Sequence, residues 1–352
     1  MARGAILPAR LTRFHAAIDS MTQRLEQLRH WLMQTAGLGA VTLAPASADA
    51  SFRRYFRVHH AGGTAIAVDA PPEHEDSRPF VSVARALHAI GLNVPEIHAV
   101  DLDRGFLLVS DLGSTLYLDV LDEASVERLY GDALGALLVL QARGPLDLPP
   151  YDRGRLLAEL ELFPAWFLAR HLGCPPDRAQ RTVIDTAFER LIDAALEQPQ
   201  VTVHRDFHSR NLMRVAAHNP GILDFQDAVV GPLTYDLVSL LRDCYIRWPR
   251  ARVEAWALGY HELALQSGVL RQGDEARFLR WFDLTGLQRH LKVLGIFARL
   301  HHRDGKPGYL EDLPRVLAYA LEVSASYPEL AGLHHLLAGL PPLAGVAQAA
   351  RR

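Results

Sequence analysis

The stretch His204-Arg205-Asp206-Phe207-His208-Ser209-Arg210-Asn211 is the most informative part of this chain. It places an acid and an amide five residues apart, between a β-branched run at 201–203 and an apolar run at 212–215. Runs of this kind are typical of short strands. We therefore predict a strand–loop–strand hairpin that holds the side chains of Asp206 and Asn211 on one side.

A second acid, Asp224, follows the apolar residues Ile222 and Leu223 and precedes Phe225. Carboxylate and amide oxygens are the ligands that hard cations such as Mg²⁺ prefer. The three oxygen-bearing side chains at 206, 211 and 224 therefore indicate a site where a magnesium ion meets a negatively charged ligand.

The spacing H-R-D-x-x-x-x-N with a downstream Asp resembles the catalytic loop of protein kinases and kinase-like phosphotransferases. The resemblance implies that Asp206 is the catalytic base, which orients an acceptor hydroxyl and takes its proton. It also implies that Asn211 and Asp224 hold Mg²⁺. Phosphoryl transfer spreads negative charge over phosphate oxygens, so such a site needs cations and orientation more than covalent chemistry.

Composition excludes several other classes of protein. A net charge of -3 over 352 residues argues against a nucleic-acid partner, since such binders are usually strongly basic. The sequence contains no apolar run long enough to predict a membrane span. The two cysteines, Cys174 and Cys244, form no zinc or redox motif, which favours a cytoplasmic location. Residues 1–20 are expected to be a disordered leader, and the sequence does not indicate an oligomeric state.

Hydrophobic periodicity predicts an α+β chain, and the kinase resemblance implies a protein-kinase-like two-lobed fold. The small, β-rich N-terminal lobe at 21–112 would hold helices at 22–37 and 78–90 and strands at 52–58, 65–68 and 106–109. The larger, mainly helical C-terminal lobe at 113–352 would hold helices at 124–142, 155–171, 178–197, 235–245, 252–266, 275–303 and 313–324. Asp236, in the first turn of one of these helices, is interpreted as structural.

Four further segments narrow the resemblance: 50–57 (ASFRRYFR), 69–72 (DAPP), 221–228 (GILDFQDA) and 287–299 (LQRHLKVLGIFAR). They resemble bacterial N-acetylmuramate/N-acetylglucosamine anomeric kinases, within the aminoglycoside phosphotransferase and choline kinase superfamily. The resemblance implies ATP-dependent phosphorylation of the sugar C1 hydroxyl to an α-1-phosphate, in the recycling of cell-wall sugars. It also implies that the hinge residues Ser110, Asp111 and Leu112 bind the nucleotide.

One departure from the kinase pattern concerns the phosphates of ATP. Kinases place a Lys on the third strand, whereas here Asp69 follows that strand and the first lysine of the chain is Lys292. The first turn, which includes the candidate nucleotide-binding residue Ser51, is not glycine-rich. Either Arg53 or Arg54 reaches the phosphates in place of the Lys, or the protein is a non-catalytic nucleotide-binding module. The intact residues at 206, 211 and 224 favour the first interpretation.

The acceptor site is predicted from charge. The helix near 288–303 carries apolar residues on one face and cations on the other, and we expect part of its basic face to contact a substrate anion. N-acetylmuramate carries a carboxylate, whereas aminoglycosides are polycations. An aminoglycoside kinase or another small-molecule kinase remains the alternative. The candidate substrate-binding residues are His208, Arg210, Gln226, Asp227, Arg289, His290, Lys292 and Arg299.

Overall fold

The structure is a computed structural model that describes residues 23–47 and 53–343. The chain divides into two compact units. Unit one comprises the chain up to Arg85 together with Pro95–Leu112, and unit two comprises Ala86–Val94 and the chain from Gly113 onward. The expected leader at 1–20 and the candidate residue Ser51 lie outside the described residues.

Unit one is built on a five-stranded antiparallel sheet in the spatial order β1-β2-β3-β5-β4. A helix at 23–34, α1, packs its apolar residues against this sheet, where the rings of Trp31 and Phe106 lie 5.8 Å apart. The strands are β1 (Thr42–Ser47), β2 (Arg54–His60), β3 (Gly63–Asp69), β4 (Ile97–Asp101) and β5 (Phe106–Ser110), and helix α2 (Arg78–Ala89) follows β3.

The two strands that sequence patterning did not predict, β1 and β4, lie at the two edges of this sheet. Strand β1 is mostly exposed and contains Pro45, and no residue of β4 is fully buried. Edge strands need little apolar surface and tolerate proline. The hydrophobic signal that marks the central strands is therefore weak in both.

Unit two is mainly helical. Its longest helix, α9, packs against α5, α6, α7, α8 and α10. The helices are α3 (Tyr117–Val120), α4 (Val126–Arg143), α5 (Arg153–Leu160), α6 (Arg178–Leu196), α7 (Tyr235–Leu241), α8 (Arg250–Gln266), α9 (Glu275–Asp304), α10 (Leu313–Ser326) and α11 (Ala331–Ala338). The single helix predicted at 155–171 is wrong: α5 ends at Leu160, and a separate π-helical segment, Phe163–His171, follows it.

That π-helical segment contacts α9 at a glycine of the long helix. A Cβ placed on Gly295 would lie 2.3 Å from the backbone carbon of Leu162, the residue that precedes the segment. No side chain fits in that space. Gly295 therefore allows the two elements to approach backbone to backbone, which fixes the position of the C-terminal half of α9.

Four short strands surround the predicted catalytic loop in unit two. They are β6 (Gln200–Val203), β7 (Leu212–Met213), β8 (Gly221–Ile222) and β9 (Val229–Pro232). Strand β6 pairs with β9, and β7 pairs with β8. The predicted hairpin between 201–203 and 212–215 is therefore wrong, because each strand that borders the loop pairs with a later part of the chain.

Candidate active site

The catalytic loop, residues 204–211, is held at both ends by two buried carboxylates. Asp236, in the first turn of α7, accepts hydrogen bonds from the backbone amides of the first two loop residues, at 2.6 and 2.9 Å. Asp243 accepts one from the amide of Ser209 at 2.9 Å. Hydrogen bonds to charged acceptors are stronger than neutral ones, so these contacts fix the backbone of the loop.

Asp236 retains its charge despite complete burial. Burial raises the pKa of this carboxyl to about 6, while His204 and the two amide hydrogen bonds act in the opposite direction. At neutral pH the group is therefore ionised and can accept both hydrogen bonds. The buried position of Asp236 agrees with the structural role predicted for this residue. The element that its carboxylate stabilises is the catalytic loop.

Two residues near the site adopt left-handed backbone conformations without being glycine. Arg205 has φ 79° and Asp224 has φ 63°. Such conformations are uncommon and persist where the surrounding structure over-determines them, often at functional sites. At Arg205, the amide bonds to Asp236 and the guanidinium forms an ion pair with Glu159. Contacts at both ends of the residue thus impose the backbone geometry.

The structure brings Asp206, Asn211 and Asp224 together. The amide nitrogen of Asn211 donates to the backbone oxygen of Asp206 at 3.0 Å and to a carboxylate oxygen of Asp224 at 3.3 Å. The Gln226 amide donates to the other carboxylate oxygen of Asp224 at 2.8 Å. The side chain of Asp206 is 39% exposed, so the carboxylate of the predicted base is open to a ligand.

The donor set at Asn211 and Asp224 suits magnesium. With its nitrogen used in two hydrogen bonds, the Asn211 amide leaves its oxygen as a metal ligand, and the carboxylate of Asp224 is exposed. In the described part of the chain, no cluster of three histidine, cysteine or carboxylate side chains could hold a metal ion. Mg²⁺ does not need one, because it usually takes one or two protein ligands together with substrate phosphates and water.

The charges around Asp206 keep its carboxylate ionised. Burial acts to raise the pKa of Asp206, but the nearby cations Lys292 and Arg289 outweigh it and lower the pKa below the usual value. The nearest guanidinium nitrogen of Arg289 lies 3.9 Å from a carboxylate oxygen, beyond hydrogen-bond distance. The cations thus act on Asp206 through their charge and leave this oxygen accessible.

A second carboxylate behind the loop, Glu159 of α5, balances part of this positive charge. It pairs with Arg205, with Lys292 at 3.1 Å, and with the hydroxyl of Tyr151. Burial acts to raise the pKa of Glu159, but the charges of Lys292 and Arg205 lower it overall. Lys292 also donates to the hydroxyl of Tyr235 at 3.1 Å. This network fixes the ammonium group of Lys292 near the carboxylate of Asp206.

The candidate residues Arg289, His290 and Lys292 of α9 are buried, and contact of this basic face with a substrate anion stays a prediction. Arg289 donates to the hydroxyl of Ser239 at 2.6 Å and lies beside Asp206. His290 stacks on Tyr319 and its Nε2 lies 3.0 Å from the backbone oxygen of Arg242. Burial lowers the pKa of His290 to about 3, so the ring is neutral. The structure gives His290 a packing position rather than one at Asp206.

The remaining candidates of unit two occupy different environments. His208 is half-buried beside the ring of Tyr245, and burial lowers its pKa. Arg210 is exposed, with its guanidinium carbon 3.8 Å from the centre of that same ring. Asp227 is exposed and contributes its backbone oxygen to a 3.5 Å contact with Arg205. Burial lowers the pKa of the half-buried Arg299, whose buried Nε has no hydrogen-bond partner among the residues that the structure describes.

In unit one, the arginines predicted to replace the kinase Lys form ion pairs. Arg54 binds Asp69 through two nitrogens, and Arg24 binds the other oxygen of the same carboxylate at 2.6 Å. Arg53 lies 3.3 Å from Glu75. Two guanidinium groups on one carboxylate leave a net positive charge beside the end of β3. The role of Arg53 and Arg54 in phosphate binding stays a prediction.

The hinge residues at the end of β5 also have partners within unit one. The Ser110 hydroxyl accepts a hydrogen bond from the amide of Glu96 at 2.9 Å. Asp111 forms a two-point ion pair with Arg57, at 2.7 and 3.1 Å. The side chains of Ser110 and Asp111 therefore stabilise the sheet. A nucleotide contact from Ser110, Asp111 and Leu112 remains a prediction for their backbone groups.

Sequence reasoning missed three residues that support the catalytic loop. Asp243 and Glu159 lie far from the loop in sequence, and nothing in their local sequence distinguishes them from surface acids. Asp236 was recognised only as a helix N-terminal acid. A signal was available for this residue, because it follows the turn Gly-Pro-Leu-Thr at 231–234, which comes after the segment that contains Asp224.

Comparison with known proteins identifies the relatives of this chain. The phosphotransferase enzyme family matches residues 42–281. The N-acetylmuramate/N-acetylglucosamine kinase of Pseudomonas putida is 48% identical over 329 residues, which cover 90% of this chain and 96% of that protein. The kinase of the same name from Neisseria meningitidis is 42% identical over 324 residues, covering 90% and 96%.

Solved structures agree in fold. A putative aminoglycoside phosphotransferase from Ralstonia eutropha aligns with a TM-score of 0.60 at 15% identity, covering 90% of this chain and 99% of that one. A choline kinase from Streptococcus pneumoniae aligns with a TM-score of 0.58 at 12% identity, covering 84% and 98%. At such low identity these similarities show the fold alone. They confirm the predicted α+β, kinase-like architecture.

The chain belongs to the phosphotransferase enzyme family, and it is a phosphotransferase with an alcohol group as acceptor. Relatives within that family carry the name N-acetylmuramate/N-acetylglucosamine kinase, which confirms the resemblance of the four segments described above. Membership implies ATP as the phosphoryl donor. None of the helices in the described residues is long and apolar enough to cross a membrane.

Proposed function

We propose that this enzyme uses ATP and Mg²⁺ to phosphorylate the C1 hydroxyl of N-acetylmuramate and N-acetylglucosamine, giving the α-1-phosphate. One observation carries the proposal: an exposed, ionised Asp206 lies beside Asn211 and Asp224, in a chain 42–48% identical to kinases of that name. We further propose that the reaction serves the recycling of cell-wall sugars in the cytoplasm.

Asp206 would orient the acceptor. Its exposed oxygen accepts a hydrogen bond from the C1 hydroxyl and aims that oxygen at the γ-phosphorus of ATP. The new O–P bond forms as the bond from γ-phosphorus to the bridging oxygen of ADP breaks, and the hydroxyl proton passes to Asp206. Because nearby cations lower the pKa of Asp206, the carboxylate is a weak base and the proton transfers late.

Asn211 and Asp224 would hold magnesium through the amide oxygen and the exposed carboxylate. Bound there, the ion neutralises charge on the phosphate oxygens. Gln226 donates to Asp224 and so limits the carboxylate to one orientation. We assign Gln226 to positioning of the metal ligand, and Asp227 to a hydrogen bond with a sugar hydroxyl.

Unit one would bind the nucleotide. The pair of arginines on Asp69 carries a net positive charge, which suits phosphate oxygens, and Arg54 is held in one geometry by its two bonds to the carboxylate. The backbone of Asp111 and Leu112 would meet the adenine. These assignments account for the missing Lys without invoking a non-catalytic protein.

Charge favours an anionic acceptor over an aminoglycoside. The potential at Asp206 is positive, because the charges of Lys292, Arg289 and Arg205 lower the pKa of this carboxyl despite burial and despite the buried carboxylates Glu159, Asp236 and Asp243 around the loop. A polycationic acceptor would be repelled by such an environment, whereas the lactyl carboxylate of N-acetylmuramate would be attracted. His208, neutral and adjacent to Asp206 in the loop, would donate to or accept from a sugar hydroxyl.

The first experiment compares acceptors directly. Consumption of ATP would be measured with magnesium and N-acetylmuramate, N-acetylglucosamine, glucose or kanamycin, and the product identified by phosphorus NMR. We expect a sugar 1-phosphate from the two N-acetylated sugars and no turnover with the other two. Phosphorylation of kanamycin, or of no acceptor despite nucleotide binding, would contradict the proposal.

A further inference from the structure

One cation of the catalytic loop is exposed and has no carboxylate partner. The guanidinium carbon of Arg210 lies over the ring of Tyr245, 3.8 Å from its centre, and 5.9 Å from the ring centre of Tyr309. Within the described part of the chain it forms no ion pair. Burial raises the pKa of the nearby Asp312, the charge of Arg210 acts weakly against that rise, and the carboxylate is already paired with Arg315 at 2.5 Å. Arg210 is therefore available to an anion from solution.

The other cations near Asp206 are already engaged. Lys292 and Arg205 share the carboxylate of Glu159. Arg289 is buried, bonded to Ser239 and directed at Asp206 itself. A substrate anion that approached these groups would have to displace a buried partner, at a considerable cost in free energy. Arg210 requires no such displacement.

The two sugars of the proposed function differ in one group. N-acetylmuramate carries a lactyl ether at O3, which ends in a carboxylate, and N-acetylglucosamine carries a hydroxyl there. We propose that Arg210, seated on Tyr245, binds the lactyl carboxylate and makes the enzyme discriminate in favour of N-acetylmuramate. The inference rests on the proposed function, since it takes the C1 hydroxyl to lie at Asp206.

Position along the loop supports this assignment. Arg210 follows Asp206 by four residues, a span of at most about 14 Å when extended. The loop is shortened by a turn, in which the Asn211 amide donates to the His208 oxygen at 2.9 Å. The ring of Tyr245 that lies under Arg210 also contacts His208, two residues from Asp206, with ring centroids 5.4 Å apart. We therefore place the O3 group of a sugar whose C1 lies at Asp206 against Arg210.

The guanidinium is also held in place before any ligand binds. Tyr245 donates its backbone amide to Asp243 at 3.0 Å, the same carboxylate that holds the amide of Ser209. The platform and the loop residue next to Arg210 thus share one anchor. A cation stacked on an aromatic ring loses less conformational freedom when it binds its anion, which favours affinity.

The test is a substitution that removes the charge, Arg210→Gln, studied with two sugars and one chemical control. Binding of N-acetylmuramate, its neutral methyl ester and N-acetylglucosamine would be measured by calorimetry with ADP and magnesium present. Loss of a charge-assisted hydrogen bond is expected to weaken N-acetylmuramate binding by roughly 10- to 100-fold. The ester and N-acetylglucosamine should change less than about threefold, since neither offers a carboxylate to Arg210.

Arg214→Gln is the matched control, because Arg214 is an exposed arginine four residues further along the chain. It should leave the ratio of affinities for the two sugars unchanged. Equal weakening of both sugars by Arg210→Gln, or none, would overturn the inference while leaving the proposed function in place. Failure of the wild-type enzyme to phosphorylate either sugar in the acceptor assay would instead overturn the proposed function, and the inference with it.

Discussion

Two aspartates of this molecule lie among arginines, and they differ in what their oxygens do. Asp69 of unit one is completely buried, and Arg24 and Arg54 bind its two oxygens. Asp206 of unit two is 39% exposed, and the nearest Arg289 nitrogen lies 3.9 Å from its carboxylate. The first carboxylate has its hydrogen-bonding capacity used within the protein, whereas the second keeps it for a ligand.

The difference teaches that cationic neighbours alone do not mark a catalytic acid. Ion pairs of direct contact stabilise a fold, because removal of one partner leaves an unmatched charge. Cations beyond hydrogen-bond distance still hold a carboxylate ionised, and they leave its oxygens free to orient a substrate. The exposure of the carboxylate and its distance from the cations together separate the two roles. Substitution should therefore mainly lower activity at Asp206 and mainly lower stability at Asp69.

The largest effect on activity is expected from Asp206→Asn. The amide cannot take the hydroxyl proton and orients the acceptor less well, so kcat should fall by roughly 10²- to 10⁴-fold. The free energy of unfolding should fall less than it does for Asp69→Asn, because Asp206 interacts with its cations by charge alone, the Arg289 contact being 3.9 Å long. Steady-state kinetics and denaturation curves would measure the two quantities, and nucleotide binding by calorimetry would confirm an intact site. A kcat within threefold of wild type would contradict the assigned role.

The complementary substitution, Asp69→Asn, should act on stability. Loss of the shared carboxylate leaves Arg24 and Arg54 facing each other, and we expect the free energy of unfolding to fall by about 3 kcal/mol. The two guanidinium groups are 20% and 25% exposed, so water offsets part of the penalty. Urea denaturation would measure the loss.

Asp76→Asn offers a control for the loss of an ion pair as such. Asp76 pairs with Arg78 at 2.9 Å on an exposed surface, where such pairs contribute little. The free energy of unfolding of the Asp76→Asn variant should match that of wild type within error. A similar loss from Asp69→Asn and Asp76→Asn would show that burial at Asp69 contributes nothing, and the contrast with Asp206 would fail.

The catalytic loop could be predicted from sequence because its chemistry is local. Asp206, Asn211 and Asp224 come from two short segments, and their residue types alone predict oxygen ligands for a cation, a role that stays a prediction. The central strands and most helices were equally accessible, since burial of one face imposes a periodicity. The pairing of the strands that border the loop could not be predicted from the sequence, because their partners, β8 and β9, lie later in the chain.

Helix α9 shows what sequence cannot supply. Its cations form a polar face by spacing, and polar faces are normally exposed. Here Arg289 and Lys292 are buried because Ser239, Tyr235 and Glu159 offer them partners from other helices. Such partners depend on how distant elements pack, which a single sequence does not show. The same limit applies to Arg54, whose partner Asp69 faces it across two paired strands.

The smallest effect on activity is expected from Lys292→Met. This substitution is also the most direct test of the comparison between Asp69 and Asp206. The change keeps the length of the side chain but removes the cation that acts most strongly on Asp206. The pKa of Asp206 should then rise towards its ordinary value. Because only the ionised carboxylate orients the acceptor, activity should be lost at a higher pH in the variant than in wild type. At a fixed acidic pH we expect kcat/KM to fall roughly tenfold, which corresponds to about 1.4 kcal/mol.

Arg303→Met is the matched control, since Arg303 is a cation of the same helix whose guanidinium pairs with Asp304 on the surface. Its pH–rate profile should coincide with that of wild type. If Lys292→Met lowers kcat/KM equally at every pH, the lysine acts only by fixing Glu159 and the loop. A shift of the acidic limb to higher pH, absent from Arg303→Met, would show that charge at a distance is what keeps Asp206 ionised and open to its substrate.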